Sequence, residues 1–83
     1  MNIRKENKFK EVSPDEIIGK NMRLFRRDAL LSSATLGEVL GVSAQQMQKY
    51  ETGKNKISAS NLYKIALFLE KPIQYFFEKD HNG

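Results

Sequence analysis

The chain has 83 residues, 40% of them hydrophobic, which suits the core of one small domain and is too much for a disordered chain. It has no cysteine, which excludes disulfides and thiolate metal sites, and no run near the roughly 18 apolar residues of a membrane span. The net charge of +4 is unevenly placed: residues 19–64 hold eight basic side chains against three acidic, while residues 1–18 hold four of each. A positive centre points to a polyanion, set against the plainer reading of a solvated lysine-rich surface.

Residues 1–12, MNIRKENKFKEV, are charged throughout and lack the apolar centre of a signal peptide, so they read as a flexible arm. Arg4, Lys5, Lys8 and Lys10 fit an arm that follows a minor groove, but Glu6 and Glu11 weigh against it. Ser13-Pro14-Asp15-Glu16 has the form of a capping box with proline at the first helical position. Ile18, Met22, Phe25 and Ala29 then keep helical spacing, predicting a first helix over about 14–30. Lys20, Arg23 and Arg27 share another face and read as its solvated side.

Leu31 and Ser32 form a joint. Ser32 caps a second predicted helix, about 33–40, that buries Leu36, Val39 and Leu40. Gly37 lies inside it. Glycine there costs about 1 kcal/mol relative to alanine, which argues for close approach by another helix. Gly41 suits the left-handed end of this helix. Val42 is an apolar plug, and Ser43 with Gln46 forms a second candidate capping box. The third helix covers about 44–52 and stops at Gly53.

Lys54-Asn55-Lys56-Ile57 reads as loop. Ser58 caps a fourth helix, about 59–70, with Leu62, Ile65, Ala66 and Leu69 inward. Pro72 opens a short fifth helix, about 72–79, carrying Ile73, Phe76 and Phe77. The tail 80–83 reads as frayed. The expected fold is all-α, a compact five-helix bundle over 13–79 with no strand signal.

The third helix is the informative one. On a wheel of 100° per residue, Met47 and Tyr50 fall on the core side with Val42. Ala44, Gln45, Gln48, Lys49 and Thr52 fall on a polar face that contains no acid. Glutamine reads the N6/N7 edge of adenine, lysine donates to guanine O6 and N7, and alanine touches a thymine methyl. Helix, Gly41-Val42-Ser43, helix is a helix-turn-helix pattern, whose second helix enters the major groove with its first residues nearest the bases. Ala44, Gln45, Gln46, Gln48 and Lys49 are therefore the base-reading candidates, although Gln46 also fits a purely capping role. Phe25, Tyr50 and Phe68 suit a core better than base stacking.

From about Ile18 to Phe77 the sequence resembles the phage repressor and Cro-type helix-turn-helix family, also called the XRE family, whose fold is the lambda repressor-like DNA-binding domain. The resemblance is carried by IGKNMRLFRR, LSSATLGEVLGVSAQQMQKYETGK and ISASNLYKIALFLEKP. It implies a small residue at Gly37, so that the second and third helices cross closely, and a turn glycine at Gly41. It implies that Ala44, Gln45, Gln46 and Lys49 face base edges or the adjoining phosphates. It implies that Glu51 pairs with Arg26, and that Lys54, Asn55 and Lys56 reach the phosphate backbone, with Ser33 and Ser43 as further phosphate candidates. Two departures stand out. The family commonly pairs a glutamine at the start of the second helix with one on the third; here Ser33 and Ala44 occupy those places, so base reading shifts to Gln45, Gln48 and Lys49. Relatives also often carry glycine near Glu70.

Phe76 and Phe77 are adjacent on a short helix and cannot both enter one small core. With Leu67, Phe68 and Tyr75 they form an expected dimer surface. His81 stands alone in the tail, so no metal is expected. No nucleophile with a base, phosphate-cradling glycine motif or carboxylate pair is visible, and no catalysis or cofactor is expected. The functional expectation is a cytoplasmic bacterial or phage regulator with no small-molecule ligand. It binds double-stranded DNA as a homodimer on a near-palindromic operator with half-sites about 34 Å apart. The rival is an antitoxin-like or adaptor module using the same fold to hold a protein, suggested by the apolar residues 67–77.

Overall fold

Four serines start four helices. In the computed structural model, which describes residues 12–79, α1 is Pro14–Asp28, α2 Ser33–Leu40, α3 Ala44–Glu51 and α4 Ala59–Leu69, followed by a 3-10 turn, Ile73–Phe77. The arm up to Glu11, with its four basic residues, and the tail with His81 lie outside the described residues. The hydroxyl oxygens of Ser13, Ser32, Ser43 and Ser58 accept from the backbone N–H three residues on, at 3.0–3.1 Å. Helices this short are marginal alone, and each such cap contributes about 1 kcal/mol. At Ser13 the box is reciprocal: its N–H donates to Glu16 Oε1 at 3.1 Å.

The helix ends differ from the predicted ones. α1 stops at Asp28, because Leu30 turns left-handed at φ 61° and Leu31 N–H returns to Arg26 O at 3.1 Å. Ala29 is consequently exposed and not a core residue. α4 ends in the same way: Glu70 takes φ 57° and Lys71 N–H returns to Ala66 O at 3.0 Å. The joint where relatives often carry glycine therefore keeps the left-handed geometry with a glutamate in place.

The predicted fifth helix is a five-residue 3-10 turn, so the described fold has four α-helices and not five. The reason is tertiary. Asn21 Nδ2, buried on α1, donates to Phe76 O at 2.9 Å and to Glu78 O at 2.7 Å. The Phe76 carbonyl that a continuing helix needs is thus held from α1. The same clamp carries Phe76 inward, where its ring meets Phe25 edge-on at 5.0 Å. Phe76 is 0% exposed in a single chain. Its expected place in a dimer surface is corrected accordingly, since it has no area left to bury against a partner.

Met22, Phe25, Leu36, Met47, Leu62, Ile65, Ala66 and Phe76 form the core, drawn from every element. Ile18, Val39, Leu40, Tyr50 and Leu69 pack against it while only partly buried. Two glycines set how closely the pieces meet. A Cβ at Gly37 would lie 2.5 Å from Val42 O, 3.3 Å from Ser43 O and 3.4 Å from Met47 Cγ, so this glycine admits both the turn backbone and the start of α3. A second close crossing is at Gly19, where a Cβ would meet the backbone carbonyls of Tyr50 and Glu51. α1 therefore lies directly against the end of α3.

Candidate nucleic-acid interface

α3 is held from behind at two levels. Met47 is fully buried and Tyr50 partly so. Below them Arg26 takes Glu51 in a bidentate pair, Nε to Oε2 at 2.7 Å and Nη2 to Oε1 at 3.1 Å. Two parallel charge-assisted bonds fix orientation as well as distance. The remaining Arg26 nitrogen donates to Leu31 O at 2.8 Å. One side chain on α1 thus binds both the joint before α2 and the end of α3.

The opposite face is free. Gln45, Gln48 and Lys49 are exposed, and among the described residues no hydrogen bond engages their side chains. Their amide and ammonium groups stand ready on one side of a short, rigid helix. Ala44 is half-buried at the first position of α3.

Gln46 behaves differently from its neighbours. Its backbone N–H meets the Ser43 hydroxyl oxygen at 3.0 Å, but the side chain does not complete a box with Ser43. Its Nε2 donates instead to Asn55 Oδ1 at 3.1 Å. Asn55 is anchored in turn, its backbone N–H donating to Lys49 O at 3.1 Å and its Nδ2 to Lys54 O at 3.2 Å. The helix-to-helix glutamine brace implied by the resemblance is absent at Ser33 and Ala44, and a helix-to-loop brace, Gln46 to Asn55, exists in this chain. Asn55 thus supports the Gln46 side chain from the loop after α3.

The other phosphate candidates rim this face. Lys54 and Lys56 are exposed on the loop after α3, and Ser33 is half-buried at the start of α2. The Ser43 oxygen accepts from Gln46 N–H, which leaves the hydroxyl proton available to an outside acceptor.

Arg23 is exposed, as its reading on the solvated face of α1 expects, and it also borders a cleft. Arg23 lines a cleft of about 280 Å³ together with Arg26, Ser33, Gln48, Glu51 and Thr52. The available signal was its spacing: three residues before Arg26, it shares that residue's side of α1. Among the described residues no group of three or more His, Cys, Asp or Glu could hold a metal ion, and no helix is long and apolar enough to cross a membrane.

A helix-turn-helix family model matches residues 22–76, from the core of α1 to Phe76. The chain belongs to the XRE-type helix-turn-helix family of DNA-binding proteins. It is 48% identical over 69 residues to an uncharacterized transcriptional regulator in the ATPase CF(0) region of Rhodospirillum rubrum, covering 83% of this chain and 64% of that protein. It is 44% identical over 73 residues to an uncharacterized HTH-type transcriptional regulator of Sinorhizobium medicae, covering 88% and 52%. A regulator of the same description from Sinorhizobium fredii is 45% identical over 64 residues, covering 77% and 45%. The chain thus spans about half to just under two thirds of the length of these relatives. No solved structure matches it.

Proposed function

We propose that the chain is a sequence-specific, double-stranded DNA-binding transcriptional regulator. It works without catalysis or a cofactor in the bacterial cytoplasm, as a homodimer on a near-palindromic operator. The observation that carries this reading is the contrast across α3: its inner side is fixed by Met47 and the Arg26–Glu51 pair, while Gln45, Gln48 and Lys49 are unengaged on an acid-free outer side. Such a helix presents base-reading groups at low conformational cost. Lys54, Lys56, Ser33 and Ser43 surround it as phosphate contacts that set register and affinity. Leu67, Phe68, Tyr75 and Phe77 remain 42–60% exposed in the single chain and supply an apolar surface for the second copy. Two such copies place their α3 helices in successive major grooves about 34 Å apart. Occupancy of an operator is enough to repress, so repression is the simplest output.

Selection from a random duplex pool at about 150 mM salt, which suppresses weak nonspecific binding, tests the reading. The wild type is expected to enrich a two-fold motif, and the double variant Gln45→Ala, Lys49→Ala to lose it. If the wild type enriches nothing, sequence reading is refuted. The exposed apolar face then favours the adaptor reading, and a partner capture follows.

A further inference from the structure

α1 carries Lys20, Arg23, Arg26 and Arg27 within about two turns. Spacings of three and four residues make these cations neighbours on the helix surface, where like charges repel. Three of them have a structural reason to be there. Arg26 is neutralised by Glu51. Arg27 lies in the last turn, where the helix dipole favours a cation. Lys20 follows Glu16 by four residues, so an acid on its own side of the helix offsets its charge although the two side chains form no ion pair. Arg23 has no such reason. Its charged neighbours at three and four residues are Lys20, Arg26 and Arg27, and no ion pair among the described residues engages its side chain.

Arg23 also occupies a particular place. It is exposed and belongs to two adjoining hollows. The first, of about 280 Å³, has Ser33, Gln48 and Thr52 on its far side, at the edge of the base-reading face. The second, of about 490 Å³, runs along α1 past Lys20, Leu24 and Arg27, with Asp28 as its one acid. Glu51 in the inner wall does not repel an anion, because both its oxygens accept from Arg26.

We propose that Arg23 binds a backbone phosphate of the DNA at the mouth of the cleft between α1, α2 and α3. This makes α1 a phosphate contact outside the helix-turn-helix. A guanidinium offers paired N–H groups that match two phosphate oxygens, and Ser33 lines the same cleft from the start of α2. The charge crowding along α1 is then relieved by the ligand rather than by the fold. The proposal rests on the DNA-binding reading above.

The test compares Arg23→Gln with Lys64→Gln, the same charge change on the exposed side of α4. Both are made in the full chain and titrated by fluorescence anisotropy against a mixed-sequence duplex of about 30 base pairs over a range of salt. Arg23→Gln is expected to lower the slope of log K against log salt by about 0.9, one released counterion, while Lys64→Gln leaves it nearly unchanged. Arg23→Lys restores the slope. The DNA-free thermal midpoint of Arg23→Gln holds or rises, which a structural arginine does not allow. An unchanged slope in Arg23→Gln, or an equal fall in Lys64→Gln, overturns the phosphate site while leaving DNA binding intact. A wild type that binds no duplex refutes both readings together.

Discussion

After α1 the chain passes through Leu30 at φ 61°, and after α2 it passes through Gly41 at φ 75°. In both places the next N–H reaches back to a carbonyl five residues earlier, Leu31 to Arg26 and Val42 to Gly37. The backbone motif is the same and the residue is not. Left-handed backbone costs a residue with a Cβ roughly 1–2 kcal/mol, and glycine escapes it. Leu30 gains little in return, being 92% exposed. The difference shows where the molecule tolerates strain. The turn that presents α3 rests in its own preferred conformation. The joint behind it is strained and held from outside, by the Arg26 bond to Leu31 O.

The strongest way to break this contrast is to disturb the relaxed turn. Gly37→Val drives a side chain into Val42 O, and overpacking of this kind should cost about 3 kcal/mol in urea unfolding. A loss well under 1 kcal/mol would show that the turn backbone yields and is not the rigid unit described. A reciprocal pair sharpens the comparison. Nothing lies within 4 Å of a Cβ at Gly41, so Gly41→Leu should cost about 1–2 kcal/mol from backbone conformation alone. Leu30→Gly should gain about 0.5–1 kcal/mol, because the unfolded chain's greater freedom takes back part of the relief. Changes of the same sign in the two variants would refute the comparison. The smallest effect belongs to the brace beside the turn. Asn55→Ala, at an exposed bond, should change stability by less than about 0.5 kcal/mol. It should loosen preference at one base pair by about 1 kcal/mol, read from the selected motif; an unaltered motif would remove Gln46 from the readers that depend on positioning.

What was legible in the sequence was what is local. Ser13, Ser32, Ser43 and Ser58 mark all four helix starts, because a cap is a hydrogen bond across three residues. Gly41 marks the end of α2 for the same kind of reason. The ends of α1 and α4 were set one or two residues late, since neither Leu30 nor Glu70 advertises a left-handed backbone. The rest depends on contacts between segments distant in sequence. Which of Phe76 and Phe77 turns inward is decided by Asn21, 55 residues from Phe76. Gly37 drew notice inside a short helix, whereas the crossing at Gly19 follows from how α1 meets α3. Ser43 and Gln46 have the residue types of a capping box, yet the loop takes the Gln46 side chain. Arg23 acquires its place only when α1, α2 and α3 enclose a cleft.

The Asn21 clamp has a consequence for how the molecule opens. A five-residue 3-10 turn has no stability of its own, and Phe76 stays inside while one amide group on α1 holds two carbonyls of the terminal segment. Release of that group frees the turn as a unit and uncovers the edge of Phe25. The backbone amides of residues 73–78 are therefore expected to exchange with solvent through a local excursion, and Asn21→Ala to speed that exchange more than it lowers global stability.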